Sequence, residues 1–148
     1  MHMKRIADRW MKWNKLSNHA KINFLYACVV LVVIKTGLTI LPFGTFRKLF
    51  HYISSSRKKT DVSKSGIDEL ISNINAAATA LPFELLCLPR ALAAKYMLRK
   101  VPDLSLEIGI EVNKDKAFEA HAWVEKNGNV IIGDWSESVS YQRLWVWE

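Results

Sequence analysis

The chain has 148 residues, half of them hydrophobic, and a formal net charge of +7, which suits one domain built on one sizeable core. Its two cysteines, Cys28 and Cys87, stand at no metal-ligand spacing and make no disulfide framework, and there is no glycine-rich phosphate loop or internal repeat. These features exclude disulfide-stapled secreted folds, structural zinc modules and phosphate-loop enzymes, and they favour a reducing cytoplasm.

Charge is unevenly placed. Residues 1–60 hold twelve Lys or Arg against the single acid Asp8, whereas residues 61–148 hold nine against thirteen acids. A basic N-terminal part can face an acidic partner, a membrane surface or nucleic acid. Nucleic acid is the poorest of these, because the basic residues are interleaved with core-like apolar ones rather than with base-stacking loops.

From Met3, the residues Ile6, Ala7, Trp10, Trp13 and Leu16 share one helical face, with Lys4, Arg5, Arg9, Lys12 and Lys15 around the rest. This predicts a basic amphipathic helix, for which packing on the core or a partner is favoured over lying on a membrane. Phe24 to Ile34 follows as an apolar run of eleven residues, short of the roughly 20 that span a bilayer. Extending it to Phe43 takes in Lys35, Gly37 and Pro42, so a core helix is expected. No small-residue cleavage site follows, which disfavours a signal peptide.

The polar stretch Ser54 to Gly66 reads as a surface link between a helical N-terminal part, 1–53, and a second part, 67–148, of the same single domain. Ile67, Leu70, Ile71, Ile74, Ala77 and Ala78 repeat at helical spacing, predicting a helix that leads into a loop around Pro82 to Leu86. A second helix is expected over 87–100, where Leu88, Leu92, Tyr96 and Met97 recur and Pro89 fits only a first turn. Cys87 therefore lies at or next to a helix N-terminus, where exposed N–H groups and the dipole favour thiolate over thiol.

Leu104, Leu106, Ile108, Ile110 and Val112 alternate with polar residues or glycine, predicting a half-buried strand near 104–112. Strands near 117–125 and 129–135 flank Asn127-Gly128, the dipeptide of a two-residue type I′ hairpin. An unbroken ladder from that turn pairs Lys126 with Asn129, Glu125 with Val130, Trp123 with Ile132 and His121 with Asp134. Directly opposed residues have Cβ atoms roughly 5 Å apart, near enough for Asp134 to hold the His121 imidazole. A last strand is expected near Tyr141 to Trp147. The fold class is α+β, a helical N-terminal half packed on an antiparallel sheet.

Cys87, His121 and Asp134 form the candidate catalytic triad. Trp123, two residues beyond His121 on the same face, either lines the cleft as a weak substrate-binding candidate or merely covers the sheet. Trp135, Trp145 and Trp147 read as packing residues. Asp115, Glu119 and Glu125 are poorer acids than Asp134, and His2, His19 and His51 are too scattered for a metal site. No metal or cofactor is expected.

Cys-Leu-Pro-Arg-Ala-Leu-Ala at 87–93, Leu-Glu-Ile-Gly-Ile at 106–110 and Phe-Glu-Ala-His-Ala-Trp-Val-Glu at 118–125 carry a family likeness. In this order the chain resembles the lasso-peptide leader peptidases of the transglutaminase-like superfamily, and Leu-Pro-Phe-Gly-Thr-Phe-Arg at 41–47 fits the same pattern. The resemblance implies a papain-like fold and a cysteine peptidase that removes the leader from a ribosomally made lasso precursor before a separate cyclase closes the ring. Cys87 would be nucleophile, His121 general base and Asp134 the orienting acid. It also implies a pocket for a small β-branched side chain, since the family's substrates carry a threonine near the leader end. Fused relatives begin with a winged-helix-like leader-recognition module. Nothing in the first 60 or so residues reads that way, so a separate leader-recognition protein is the expected partner. A transglutaminase or amidase using the same thiol, and a non-catalytic binding protein of the same fold, remain the alternatives.

Overall fold

A computed structural model of the protein describes residues 17–111, 119–135 and 140–147. The amphipathic helix expected over 3–16 lies outside them. Helix α1, Asn18–Ile40, starts where the Ser17 hydroxyl accepts the Ala20 N–H at 3.2 Å. It stops where Leu41, the residue before Pro42, is forced into extended backbone. Helix α2 is Phe43–Ser54, α3 is Lys64–Ala80 and α4 is Cys87–Met97. Ser63 caps α3 by accepting the Gly66 N–H at 3.3 Å, so Lys64 to Gly66, expected in the polar link, form its first turn. The remaining link is tied to the end of α4, where Thr60 N–H donates to the Lys100 carbonyl at 2.7 Å.

Four strands, β1 (Leu104–Glu111), β2 (Ala120–Lys126), β3 (Asn129–Ile132) and β4 (Tyr141–Trp147), form one antiparallel sheet in the order β3-β2-β1-β4. Helix α4 is the centre of the molecule. Ala91, Leu92, Ala93 and Ala94 are all buried, as expected of a helix covered on every side. The sheet lies against it, and α1 and α3 pack on it as well. The core cluster joins Leu31, Ile34 and Ile74 of the helices to Leu106, Ala122, Val124 and Ile132 of the sheet.

The core-helix expectation for the apolar run holds for one face of α1. Ala27, Val30, Leu31 and Ile34 are buried, but Ile22, Leu25, Val29 and Val33 on the other side are exposed, and the helix continues through Lys35 and Gly37.

The Asn127-Gly128 turn forms with both residues at positive φ, 51° and 77°, the geometry of type I′. The ladder beyond it corrects the expected register. Lys126 pairs with Asn129 and Glu125 with Val130, but Val124 then pairs with Ile132, leaving Ile131 as an extra residue in a bulge. Unbroken pairing would place Ile132 opposite Trp123, on the face away from α4. The bulge turns Ile132 into the core beside Val124 instead, and both are buried.

The other sheet face is less polar in environment than the alternation of β1 suggests. Glu107 and Glu125 are buried there. The Glu125 Oε1 atom accepts the Trp123 indole N–H at 2.8 Å and an Arg143 N–H at 2.6 Å, while Glu107 accepts the Ser105 hydroxyl at 2.8 Å. Arg143 Nε also stands 3.8 Å from Glu107 Oε2, an oxygen that accepts no hydrogen bond among the described residues, so the arginine's charge and these bonds together offset part of the desolvation of the two carboxylates. Gly109 lies opposite His121 in the ladder, and a Cβ there would stand 2.8 Å from the Gln142 carbonyl and 2.9 Å from the Trp123 ring. Gly109→Ala is expected to destabilise the fold by about 2 kcal/mol through overpacking, measured by chemical denaturation.

Candidate active site

Cys87 is the first residue of α4, and the preceding Leu86 supplies no side-chain cap. First-turn amides are therefore left to the sulfur and to whatever enters the cleft. The Leu85 carbonyl accepts Arg90 Nε–H at 2.8 Å, which fastens the loop before the cysteine to the second turn of its own helix. Burial opposes ionisation of the thiol, yet its pKa is lowered. A hydrogen bond with the His121 side chain, the Ala122 main-chain N–H, the charge of His121 and the Leu88 N–H together outweigh the burial.

His121 is placed by β2. Its Nε2–H donates to the Gly133 carbonyl at 2.7 Å, which leaves Nδ1 for the thiol. The hydrogen bond with Cys87 raises the His121 pKa; burial works against this, and the Gly133 carbonyl and the charges of Cys87 and Glu119 add to it. Both shifts favour the thiolate–imidazolium pair. Tyr141 stacks on the imidazole with centroids 4.9 Å apart and an interplanar angle of 22°, and Trp135 meets its edge at 5.9 Å. Burial and the charges of Glu119, Glu111 and Cys87 push the Tyr141 phenol up, so it stays protonated beside the pair.

The pair opens into a cleft of about 520 Å³, lined among others by Ile71, Leu85, Arg90, Ile131 and Asp134. This volume is in the range of sites that hold small ligands or a few residues of a peptide. Cys87 and His121, far apart in sequence, are thus brought together in one cleft. Asp134 reaches the same cleft but is exposed at its rim, and the place expected of its carboxylate, the far nitrogen of His121, is taken by the neighbouring carbonyl of Gly133. The bulge explains this: it moves the register by one residue, and β3 ends at Ile132. Gly133 then leaves the ladder at φ 83°, a conformation natural to glycine.

Trp123 is corrected as a substrate-binding candidate. It is 1% exposed, absent from the cleft wall and bound to Glu125, so it covers the sheet and backs His121, with ring centroids 6.2 Å apart. Sequence reading missed the Gly133 carbonyl, Tyr141, Arg90 and the influence of Glu119. Gly133, an isolated glycine at the end of a strand pattern, was the one available signal of a bulge.

A cysteine at a helix N-terminus, hydrogen-bonded to a histidine on an antiparallel sheet, has the parts of a thiol-dependent acyl-transfer site. The sequence model of the Transglutaminase-like superfamily matches residues 28–146, most of the chain, and the protein belongs to that superfamily. No curated protein and no solved structure matches it.

Proposed function

We propose that the protein is a cytoplasmic cysteine peptidase that removes the leader from a lasso-peptide precursor, acting with a separate leader-recognition protein and ahead of a cyclase. The observation that carries the reading is the Cys87–His121 hydrogen bond at the open end of α4, with the thiol pKa lowered and the imidazole pKa raised. The motifs at 87–93, 106–110 and 118–125 supply the substrate class.

In this mechanism the Cys87 thiolate attacks the carbonyl that joins leader to core. The main-chain N–H of Cys87, at the uncapped start of α4, donates to the developing oxyanion, a contribution of about 3 kcal/mol per donor in comparable sites. His121 gives its proton to the departing amine of the core peptide as the C–N bond breaks, leaving the leader as a thioester on Cys87. Water, losing a proton to His121, then releases the leader as a free acid. Asp134 stands at the cleft rim, while the Gly133 carbonyl holds the ring. Ile71, Leu85 and Ile131 give the cleft apolar walls that suit a small β-branched side chain near the leader end.

The test is mass spectrometry of a lasso precursor incubated with the protein, with and without the recognition partner. Cleavage at one bond, stimulated by the partner and lost in Cys87→Ala, is the expected result; an intact precursor under every condition would sink the reading. The superfamily match favours one second reading, acyl transfer to an amine. Adding a primary amine separates the two, because a transglutaminase would give the amide adduct in place of the acid. Asp134→Asn is expected to lower kcat/KM by roughly tenfold, far less than Cys87→Ala, because the imidazole keeps its carbonyl partner.

A further inference from the structure

The exposed face of α1 is a continuous apolar stripe. Ile22, Leu25, Val29, Val33 and Ile40 recur at helical spacing, with Val29 60% and Val33 61% exposed, over a length of about 27 Å at 1.5 Å per residue. The helix is long and apolar enough to cross a membrane by length and composition. A helix that is apolar on all sides is covered on all sides, yet among the described residues only the face bearing Ala27, Val30, Leu31 and Ile34 is buried.

We propose that the exposed face of α1 docks on an anionic lipid bilayer, lying along its surface with the stripe sunk among the acyl chains. Charge is the first argument. Residues 17–60 contain seven Lys or Arg and no Asp or Glu, and Lys21 and Lys35, about four turns apart, run along one border of the stripe. Their ammonium groups can reach lipid phosphates while their stems follow the apolar surface. Across the helix packing, Glu69 lies 3.9 Å from His19 at the N-terminal end.

The chemistry of the stripe is the second argument. It is aliphatic, with Tyr26 and Thr36 as its polar side chains, whereas protein interfaces carry about one hydrogen bond per 100–200 Å² and favour aromatic residues and Arg. A second copy would bring two positively bordered stripes together, each on a chain of net charge +7. The segment before α1 continues the pattern in sequence, with Trp10 and Trp13 among five Lys or Arg.

Spanning the membrane is a different matter, because it would pull Ala27, Val30, Leu31 and Ile34 out of the core they share with α3 and α4. Surface docking keeps that packing. It also leaves the cysteine cleft open, since none of the residues lining it belongs to α1 or α2.

The test is flotation of the full chain with phosphatidylcholine vesicles, with and without phosphatidylglycerol, and needs no enzymatic readout. The wild type is expected to float with the anionic vesicles and to be released in part by salt. The double variant Val29→Asn/Val33→Asn, folded by circular dichroism and with an unchanged thermal midpoint, should lose binding at least about tenfold. Lys21→Glu/Lys35→Glu should lose binding to the anionic vesicles. Three results would overturn the proposal: a wild type that stays unbound, an asparagine variant that floats equally well, or a dimer in solution that only the asparagine variant dissociates. Retention of the protein in the bilayer after alkaline washing would mark a span and overturn it as well.

Discussion

At neutral pH, iodoacetamide should alkylate Cys87 on the order of ten- to a hundredfold faster than Cys28 in the same molecule, followed by timed peptide mass spectrometry. Alkylation follows the thiolate fraction. Burial pushes the Cys28 thiol up, whereas Cys87 is brought down despite its burial, so the two thiols serve as each other's control. Equal labelling would refute the ion-pair description. In His121→Ala the Cys87 labelling midpoint should move to higher pH, because the burial that raises it stays while the strongest opposing influence is gone. Peptide cleavage adds a second limb. The thiolate is lost as pH falls through the lowered Cys87 pKa, and the imidazolium that protonates the leaving amine is lost as pH rises through the raised His121 pKa. A bell-shaped profile is expected, with both limbs belonging to the coupled pair.

Gly133→Ala should cost about 3 kcal/mol of stability and reduce kcat at least about a hundredfold. A Cβ at this position would lie 2.7 Å from the Ala122 carbonyl and 3.0 Å from Trp123, at a φ of 83° that alanine adopts with strain. The backbone must shift to relieve the clash, and with it the carbonyl that holds His121. An orientation error of this kind falls on kcat more than on KM. Denaturant titration reads the first effect and steady-state kinetics the second. A variant of wild-type kcat would show that the carbonyl does not orient the ring.

The α+β order of helices and strands was legible through local patterns: helical spacing from Ile67 and from Leu88, period-two alternation from Leu104, and the Asn127-Gly128 turn. The meeting of Cys87 with His121 was legible only through family likeness, since no local pattern reports how a helix end docks on a strand. The histidine's partner was not legible. The hairpin register followed from the turn for two pairs, then failed at Ile131, where burial of Ile132 in the core outweighed regular pairing. Main-chain groups such as the Gly133 carbonyl have no letter in the sequence. The exposed side of α1 was hidden for a related reason: an apolar residue reads the same whether it faces a core or open surface.

The carbonyl that holds His121 has no proton to gain in the working pH range. A carboxylate in that place would fade as an acceptor on acidification and give the ring a second, unrelated titration. With an amide oxygen instead, the orientation of the imidazole is the same at pH 5 as at pH 8. Acid therefore acts on the charges of the sulfur, the imidazole and the nearby Glu119 carboxylate rather than on the direction of the ring, and the pose of the base is written into the bend of the chain rather than into a side chain.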